Sequence, residues 1–277
     1  MNIANIHLIT FSPTHTSKQV GEAIVHGTGI SAIVETDLTV SPADSLEISK
    51  ETLAVITVPV YGGHVAPLAL ERMQALHSEG APAVVVVVYG NRAYEKALVE
   101  LDAFVTGRGF KVISGATFVG EHSYSSERYP IAVGRPDADD LAFATLFGEK
   151  IRAKIEAAAE PEKLYAVDVT RIQRPHQPFF PLFRFLRKVV KLRKSGKPMP
   201  RIPEVDAGRC THCGSCAAHC PAGAIVKGDE CNTLAEKCIK CCACVKGCPQ
   251  QARTYDTPFA ALLADCFKRQ KENRIIL

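Results

Sequence analysis

The first 209 residues of this 277-residue chain contain no cysteine, so no disulfide can staple that part and its stability must come from a buried apolar core. With 47% apolar residues overall, such a core is within reach. The chain opens MNIANIHLITF, without a cationic leader ahead of a long apolar segment, and a secretory signal is not expected. Long hydrophobic runs are missing as well. The longest uninterrupted one, Ala83 to Tyr89, falls far short of the roughly 20 residues that span a bilayer. Neither a Walker sequence nor G-x-G-x-x-G is present, which removes support for nucleoside triphosphate and dinucleotide sites. Acidic residues are absent from Val169 to Pro203, a stretch with ten lysines and arginines, so the net charge of +4 conceals −6 on the remainder. These absences lead us to expect a soluble protein of a reducing compartment, the cytoplasm.

What is present is concentrated. Ten of the eleven cysteines lie between Cys210 and Cys248. Cys210, Cys213, Cys216 and Cys220 precede Pro221, and Cys238, Cys241, Cys244 and Cys248 precede Pro249, one spacing repeated 28 residues later. Ala224 and Ala252 extend the repeat beyond the thiols. An extracellular disulfide framework is the ordinary alternative for a cysteine-dense region, but regular x-x spacings in a chain without a leader favour metal ligation. Zinc ribbons use Cys-x-x-Cys pairs and do not need three evenly spaced thiols plus a fourth before proline, twice over. Cys242 breaks the spacing, while Cys231 and Cys266 fall outside both runs; these three are expected to behave as small buried hydrophobes. About fifty residues around two metal clusters cannot build a large apolar core, so ligation should dominate the folding of this segment.

Ahead of the cysteines, five Val- and Ile-rich segments alternate with helix-like ones: Asn2 to Thr10, Ser31 to Asp37, Leu53 to Val58, Ala83 to Tyr89 and Lys111 to Val119. Continuous hydrophobicity means strands covered on both faces, the mark of a parallel sheet. The intervening helices are expected at Ser17 to His26, Pro67 to His77, Ala93 to Thr106 and Pro136 to Ala158, the last opening with Asp137, Asp139 and Asp140 near its positive pole. In such sheets a ligand sits at the carboxyl ends of the strands. After the first strand, FSPTHTS offers the hydroxyls of Ser12, Thr14, Thr16 and Ser17 beside a helix start, suited to a phosphate monoester. After the third comes Val60, Tyr61, Gly62 and Gly63; after the fourth, Tyr89, Gly90, Asn91 and, a little later, Tyr94. Aromatic rings beside glycines suit a planar ligand such as a flavin. The segment after the fifth strand brings Glu121, His122 and Tyr124 to the same side, where His122 and Tyr124 are candidate proton sources. Turn chemistry alone accounts for any one of these loops; three at successive strand ends point to one site.

Residues 1 to about 158 resemble a flavodoxin, whose hydroxyl-rich loop and two aromatic-bearing loops bind FMN. The cysteine runs resemble bacterial two-cluster ferredoxins, in which the fourth cysteine of each run serves the other cluster. The whole chain thus resembles flavodoxin and ferredoxin fusion proteins. That resemblance implies a doubly wound α/β sheet of order 2-1-3-4-5, with FMN bound in part by Glu121 and His15, and a small α+β domain. It further implies one [4Fe-4S] cluster on Cys210, Cys213, Cys216 and Cys248, and another on Cys238, Cys241, Cys244 and Cys220. The phosphate loop departs from the family pattern, since His15 stands where glycine is expected and Pro13 precedes Thr14.

The organisation expected is a flavodoxin-like domain at 1–159, a basic connector at 160–204 rich in proline and phenylalanine, a two-cluster domain at 205–256 and a C-terminal helix or tail at 257–277. Between Pro181 and Lys194 a helix gathers Leu182, Phe185, Leu186, Val189 and Val190 on one side with cations flanking them. It reads as an interdomain brace, a dock for an acidic redox partner, or a contact with an anionic membrane surface. Nucleic acid binding has no motif behind it. The function expected is electron transfer between FMN and the clusters as a redox carrier; the alternative is an FMN-dependent reductase of a small organic substrate fed by the clusters.

Overall fold

The structure is a computed structural model and describes residues 3–43, 45–158, 164–196 and 198–277. Asn2, the expected boundary at 159/160 and Lys197 lie outside the described residues. In chain order the first part comprises β1 (Asn5–Thr10), α1 (Thr16–Gly27), β2 (Ile33–Asp37), β3 (Leu46–Ile48), β4 (Thr52–Tyr61), β5 (His64–Val65), α2 (Pro67–Arg72), β6 (Leu76–Ser78), β7 (Pro82–Tyr89), α3 (Ala97–Gly107), β8 (Lys111–Val119) and α4 (Ala138–Ala157). The remainder carries α5 (Phe179–Lys194), β9 (Glu204–Val205), α6 (Ser215–Ala218), β10 (Ile225–Val226), β11 (Asp229–Thr233), α7 (Ala243–Lys246), β12 (Arg253–Thr254), α8 (Pro258–Cys266) and β13 (Arg274–Ile276).

The main sheet runs β13-β8-β7-β4-β1-β2, and the five strands β2, β1, β4, β7 and β8 are mutually parallel. Numbered among themselves these five follow 2-1-3-4-5, the doubly wound order of flavodoxin-like folds. Side chains alternate between two cores, as the twofold repeat of a strand requires. Ile9, Ile56, Val85 and Val87 face one core, and Ile6, Leu8, Val55, Val84 and Val86 face the other. Both faces of the central strands are therefore covered. Edge strand β2 departs from this expectation, with Ile33 and Val34 exposed.

Three expected helices change their limits by two residues or more. The helix foreseen over Pro67 to His77 ends at Arg72, because Leu46–Ile48 pairs in parallel with Leu76–Ser78 and buries Ile48 and Leu76. The Ser78 hydroxyl fixes that pairing by donating to the Ile48 carbonyl at 2.7 Å. Helix α3 starts at Ala97 rather than Ala93, since Glu95 has φ +45°, which no right-handed helix accommodates. Helix α4 starts at Ala138 under a capping box: Asp137 accepts from the Asp140 amide at 3.0 Å, and Asp140 accepts from the Asp137 amide at 2.9 Å.

The C-terminal tail returns to the sheet. Its strand β13 adds antiparallel to β8, a pairing the sequence reading did not foresee because three residues carry no periodicity. Polar contacts fasten it. Asn91 donates to the carbonyls of Phe267 and Arg269 at 2.8 and 3.2 Å and accepts from the Lys271 amide at 2.9 Å. Asn273 accepts from the Val119 amide at 2.9 Å and donates to buried Asp140 at 2.7 Å, which also pairs with Arg135. Among the described residues no helix is long and apolar enough to cross a membrane.

Candidate functional site

A cavity of about 580 Å³ opens where β1, β4, β7 and β8 end, the position that a doubly wound sheet offers to a ligand. Its lining includes Thr14 and Thr16 from the first loop, Val60, Tyr61, Gly62 and Gly63 from the second, Tyr89 and Gly90 from the third, and Glu121, His122 and Tyr124 from the fourth. The loops foreseen from sequence thus converge. Gly62, at φ +63°, has open space where a β-carbon would stand, so a flat ligand can approach its backbone. Gly90 is small for another reason: a β-carbon there would lie 2.3 Å from the His122 ring.

Five predicted residues stand off the lining. The Ser12 hydroxyl accepts from the Lys18 amide at 3.0 Å and its amide donates to Thr39 at 2.7 Å, so it shapes the loop. His15 is exposed with φ +65°, the backbone for which glycine is usual, and it caps α1 without a side-chain bond. Ser17 is fully buried, and its hydroxyl oxygen has no partner. Thr10 and Thr57, paired across β1 and β4, carry buried hydroxyls in the same condition. A phosphate at this loop would give Ser17 the acceptor it lacks, so these residues fit that group. Asn91 and Tyr94 need correction. Asn91 is spent on the C-terminal tail, and Tyr94 is buried in the core against Tyr89, with its hydroxyl 3.4 Å from the Ile172 carbonyl.

Burial, assisted by the charges of Lys246 and Arg92, pushes the His122 imidazole down to about 4. Its Nδ1 accepts from the Tyr124 amide at 3.0 Å, which leaves the single proton on Nε2. A neutral ring is not the proton source expected at neutral pH. Tyr124 is held as a neutral phenol, raised chiefly by burial, and its ring lies 4.9 Å from that of His122 and 5.3 Å from that of Tyr255. Burial raises the Glu121 carboxyl, but the Lys246 ammonium at 2.6 Å and the Gly134 amide at 3.2 Å more than offset it, and the group stays ionised.

The roof of the cavity was not foreseen. Helix α5 supplies Leu186, Val189, Val190 and Arg193, α8 supplies Leu263, and Ile239 and Lys240 come from the cysteine-rich segment. The amphipathic pattern of α5 was legible, and its apolar side does pack through Leu182, Phe185 and Val189 on Leu263, Cys266 and Phe267. Nothing in sequence could say that the same helix faces the strand ends.

Cys210, Cys213, Cys216 and Cys248 line one small cavity, and Cys220, Cys238, Cys241 and Cys244 line another, together with Cys242, the cysteine that breaks the spacing. The fourth cysteine of each run therefore joins the three of the other run, the crossed arrangement that the resemblance implied. The backbone repeats as well: His212 and Lys240, Gly214 and Cys242, and Gly223 and Gln251 take positive φ at equivalent positions. The Pro-x-x-Ala repeat has a physical role, because the Ala224 amide donates to Cys220 Sγ at 3.2 Å and the Ala252 amide to Cys248 Sγ at 3.3 Å. Such bonds to sulfur tune a cluster's potential.

Burial pushes the Cys241 thiol up to about 12 and Cys244 to about 11, with neighbouring sulfurs adding to the rise. Only bound metal would make these groups thiolates at neutral pH, so four converging thiols fit an iron-sulfur cluster better than an empty fold. Arg253 is buried between the two sets, lining the first cavity while its Nη1 lies 3.9 Å from Cys244 Sγ. Cys266 and Cys242 are buried as expected. Cys231 is not; it is half-buried beside Cys210 and His212, the three ligand atoms lying within 4.8 Å of one another.

Residues 202–225 match a 4Fe-4S binding domain. The match spans the first run and its proline, and the second run continues the same spacing beyond it. Among curated proteins no match is found. The solved structures it is similar to include a flavodoxin from the domain Archaea, at 13% identity over 55% of this chain and 99% of that one, with a TM-score of 0.38. They also include a flavodoxin of Streptococcus pneumonia TIGR4, at 16% identity over 55% and 99%, with a TM-score of 0.37. A third is the apo form of the NADH:FMN oxidoreductase EMOB, at 14% identity over 59% and 95%, with a TM-score of 0.39. With scores this low, the fold rests on the order and register of the sheet itself.

Proposed function

We propose that this chain transfers electrons between FMN and two [4Fe-4S] clusters, as a cytoplasmic redox module that couples one-electron to two-electron partners. The observation that carries the proposal is a cavity at the strand ends that shares Ile239 and Lys240 with the cavity of one cysteine set, in a small domain that also holds the second set. Thr14 and Thr16 line the end of the cavity suited to the phosphate, with the Ser17 hydroxyl held ready, while Val60 to Gly63 and Tyr89 to Gly90 form the walls for the ring. Bound there, FMN accepts two electrons singly or as a pair, whereas each cluster handles one. Covalent linkage keeps the two redox units at high effective concentration, so that they need not meet by diffusion.

One observation favours a second reading, reduction of a small organic substrate. The cavity is bordered by α5 and α8, whose Leu186, Val189, Val190 and Leu263 give it an apolar side beside the cations Arg193 and Lys240. A reductase needs such a chamber; Tyr124, a neutral phenol on its wall, is then the proton donor in place of His122. Redox proteins are the partners in either reading. Arg184 and Lys188 of α5 are engaged by Asp265 at 2.6 and 2.8 Å, which leaves Arg187, Lys191 and Lys194, with exposed Phe179 and Phe180, as the surface for an acidic redox partner or an anionic membrane.

The flavin is tested by denaturing anaerobically purified protein and identifying what it releases. FMN is the expected product, and Ser17→Ala is expected to weaken its retention by about tenfold or more while leaving iron content unchanged, as loss of a hydrogen bond to a charged group does. Release of FAD, or no flavin after reconstitution, would refute the assignment.

A further inference from the structure

The two cysteine sets are not equivalent in their relation to the strand ends. Ile239 and Lys240 line the large cavity and the cavity of the Cys220, Cys238, Cys241 and Cys244 set at once, so the two share a wall. Further contacts bring the same set against the α/β domain. Lys246, on α7 between Cys244 and Cys248, pairs with Glu121 of the cavity wall. The Arg72 guanidinium donates to the carbonyl of Pro221, the residue after Cys220. Ile239, like Tyr61, packs against the core of the α/β domain. The other set is tied within its own small domain, where Asp206 bonds to Ala252 at 2.8 Å and His212 to Glu230 at 3.1 Å. Its Cys213 is exposed, whereas Cys241 of the near set is buried.

Resting on the reading of FMN and two clusters given above, we infer that the cluster held by Cys220, Cys238, Cys241 and Cys244 is the one that exchanges electrons with the flavin, and that the cluster held by Cys210, Cys213, Cys216 and Cys248 is the outer port. A low-potential one-electron donor protein gives one electron to the outer cluster, which returns to its oxidised state by passing that electron to the inner cluster. The inner cluster returns likewise by passing it to the flavin. Two such passages, with protons taken up from water, complete the reduction of one flavin. Arg253 stands where the two cavities meet and keeps a positive charge beside the electron at the crossing between them.

The test uses the full chain, purified and reconstituted without oxygen, with flavin and iron assayed on every sample. Electron paramagnetic resonance then measures how strongly reduced clusters speed the relaxation of the one-electron-reduced flavin signal. In Cys213→Ser the enhancement is expected to remain, and in Cys241→Ser to fall several-fold. Where Cys241→Ser loses both clusters, Cys213→Ser alone decides. If that variant retains its flavin and its inner cluster yet loses the enhancement, the order is overturned while the functional reading stands. If the unaltered chain binds no flavin at all, the functional reading falls and this order falls with it.

Discussion

Cys220→Ala is expected to remove the cluster of the other run, leaving about four irons per chain where the unaltered protein holds about eight. The expectation is counter to sequence proximity, since Cys220 follows Cys210, Cys213 and Cys216 directly. Its thiol nevertheless lines the cavity of Cys238, Cys241 and Cys244, and the Ala224 amide holds it there. Loss of one ligand from a set of four thiols leaves an open coordination position and removes the metal contribution that folds this small segment. Iron and sulfide analysis with resonance spectra of the reduced protein would distinguish the outcomes. A variant that keeps the signal of the second set and loses that of the first would show uncrossed ligation.

Asp140→Asn is expected to destabilise the α/β domain by about 3–5 kcal/mol, the usual cost of leaving one partner of a buried ion pair alone. Both Asp140 and Arg135 are buried. Asp140 also completes the capping box of α4 and accepts from Asn273, so the substitution loosens a helix start and the C-terminal strand together. Asp139, exposed one position earlier, provides the control, and Asp139→Asn should stay within about 0.5 kcal/mol in urea unfolding. The pH dependence has a definite sign. Burial raises the Asp140 carboxyl, but Arg135, the Asp137 amide and Asn273 more than compensate and hold it below its ordinary value. Its stabilisation is therefore present above the unfolded value of about 3.9 and is lost as pH falls through the lower folded value. His122, buried neutral with its pKa at about 4, acts in the same direction at higher pH: the unfolded chain takes up a proton first, near 6.5, so stability declines between about 6.5 and 4.

The parallel sheet was legible because Val- and Ile-rich runs such as Ala83 to Tyr89 admit no other burial, and the order of the strands followed from resemblance. The cysteine sets were legible because three thiols at fixed spacing with a fourth before proline are a complete chemical statement. Less could be read where tertiary contacts decide. Asn91 and Tyr94 sit in a loop of the right composition, yet a tail nearly 180 residues away claims the amide and the core claims the ring. Leu76 and His77 lie within the expected helix, yet with Ser78 they pair with Leu46–Ile48, a partner invisible to local periodicity. His122 looked like an acid because histidine titrates near neutrality, and only its burial against Gly90 shows why it does not here. Cys231 looked like filler, and only the fold brings it beside Cys210.

The proposed function requires that electrons placed on the clusters reach the flavin within the same chain. Anaerobic stopped-flow at protein concentrations too low for bimolecular exchange, following cluster and flavin absorbance separately after mixing with a one-electron donor, measures this directly. The predicted result is flavin bleaching at a rate independent of protein concentration, in step with reoxidation of the clusters. Clusters that stay reduced beside an oxidised flavin throughout the experiment would contradict it.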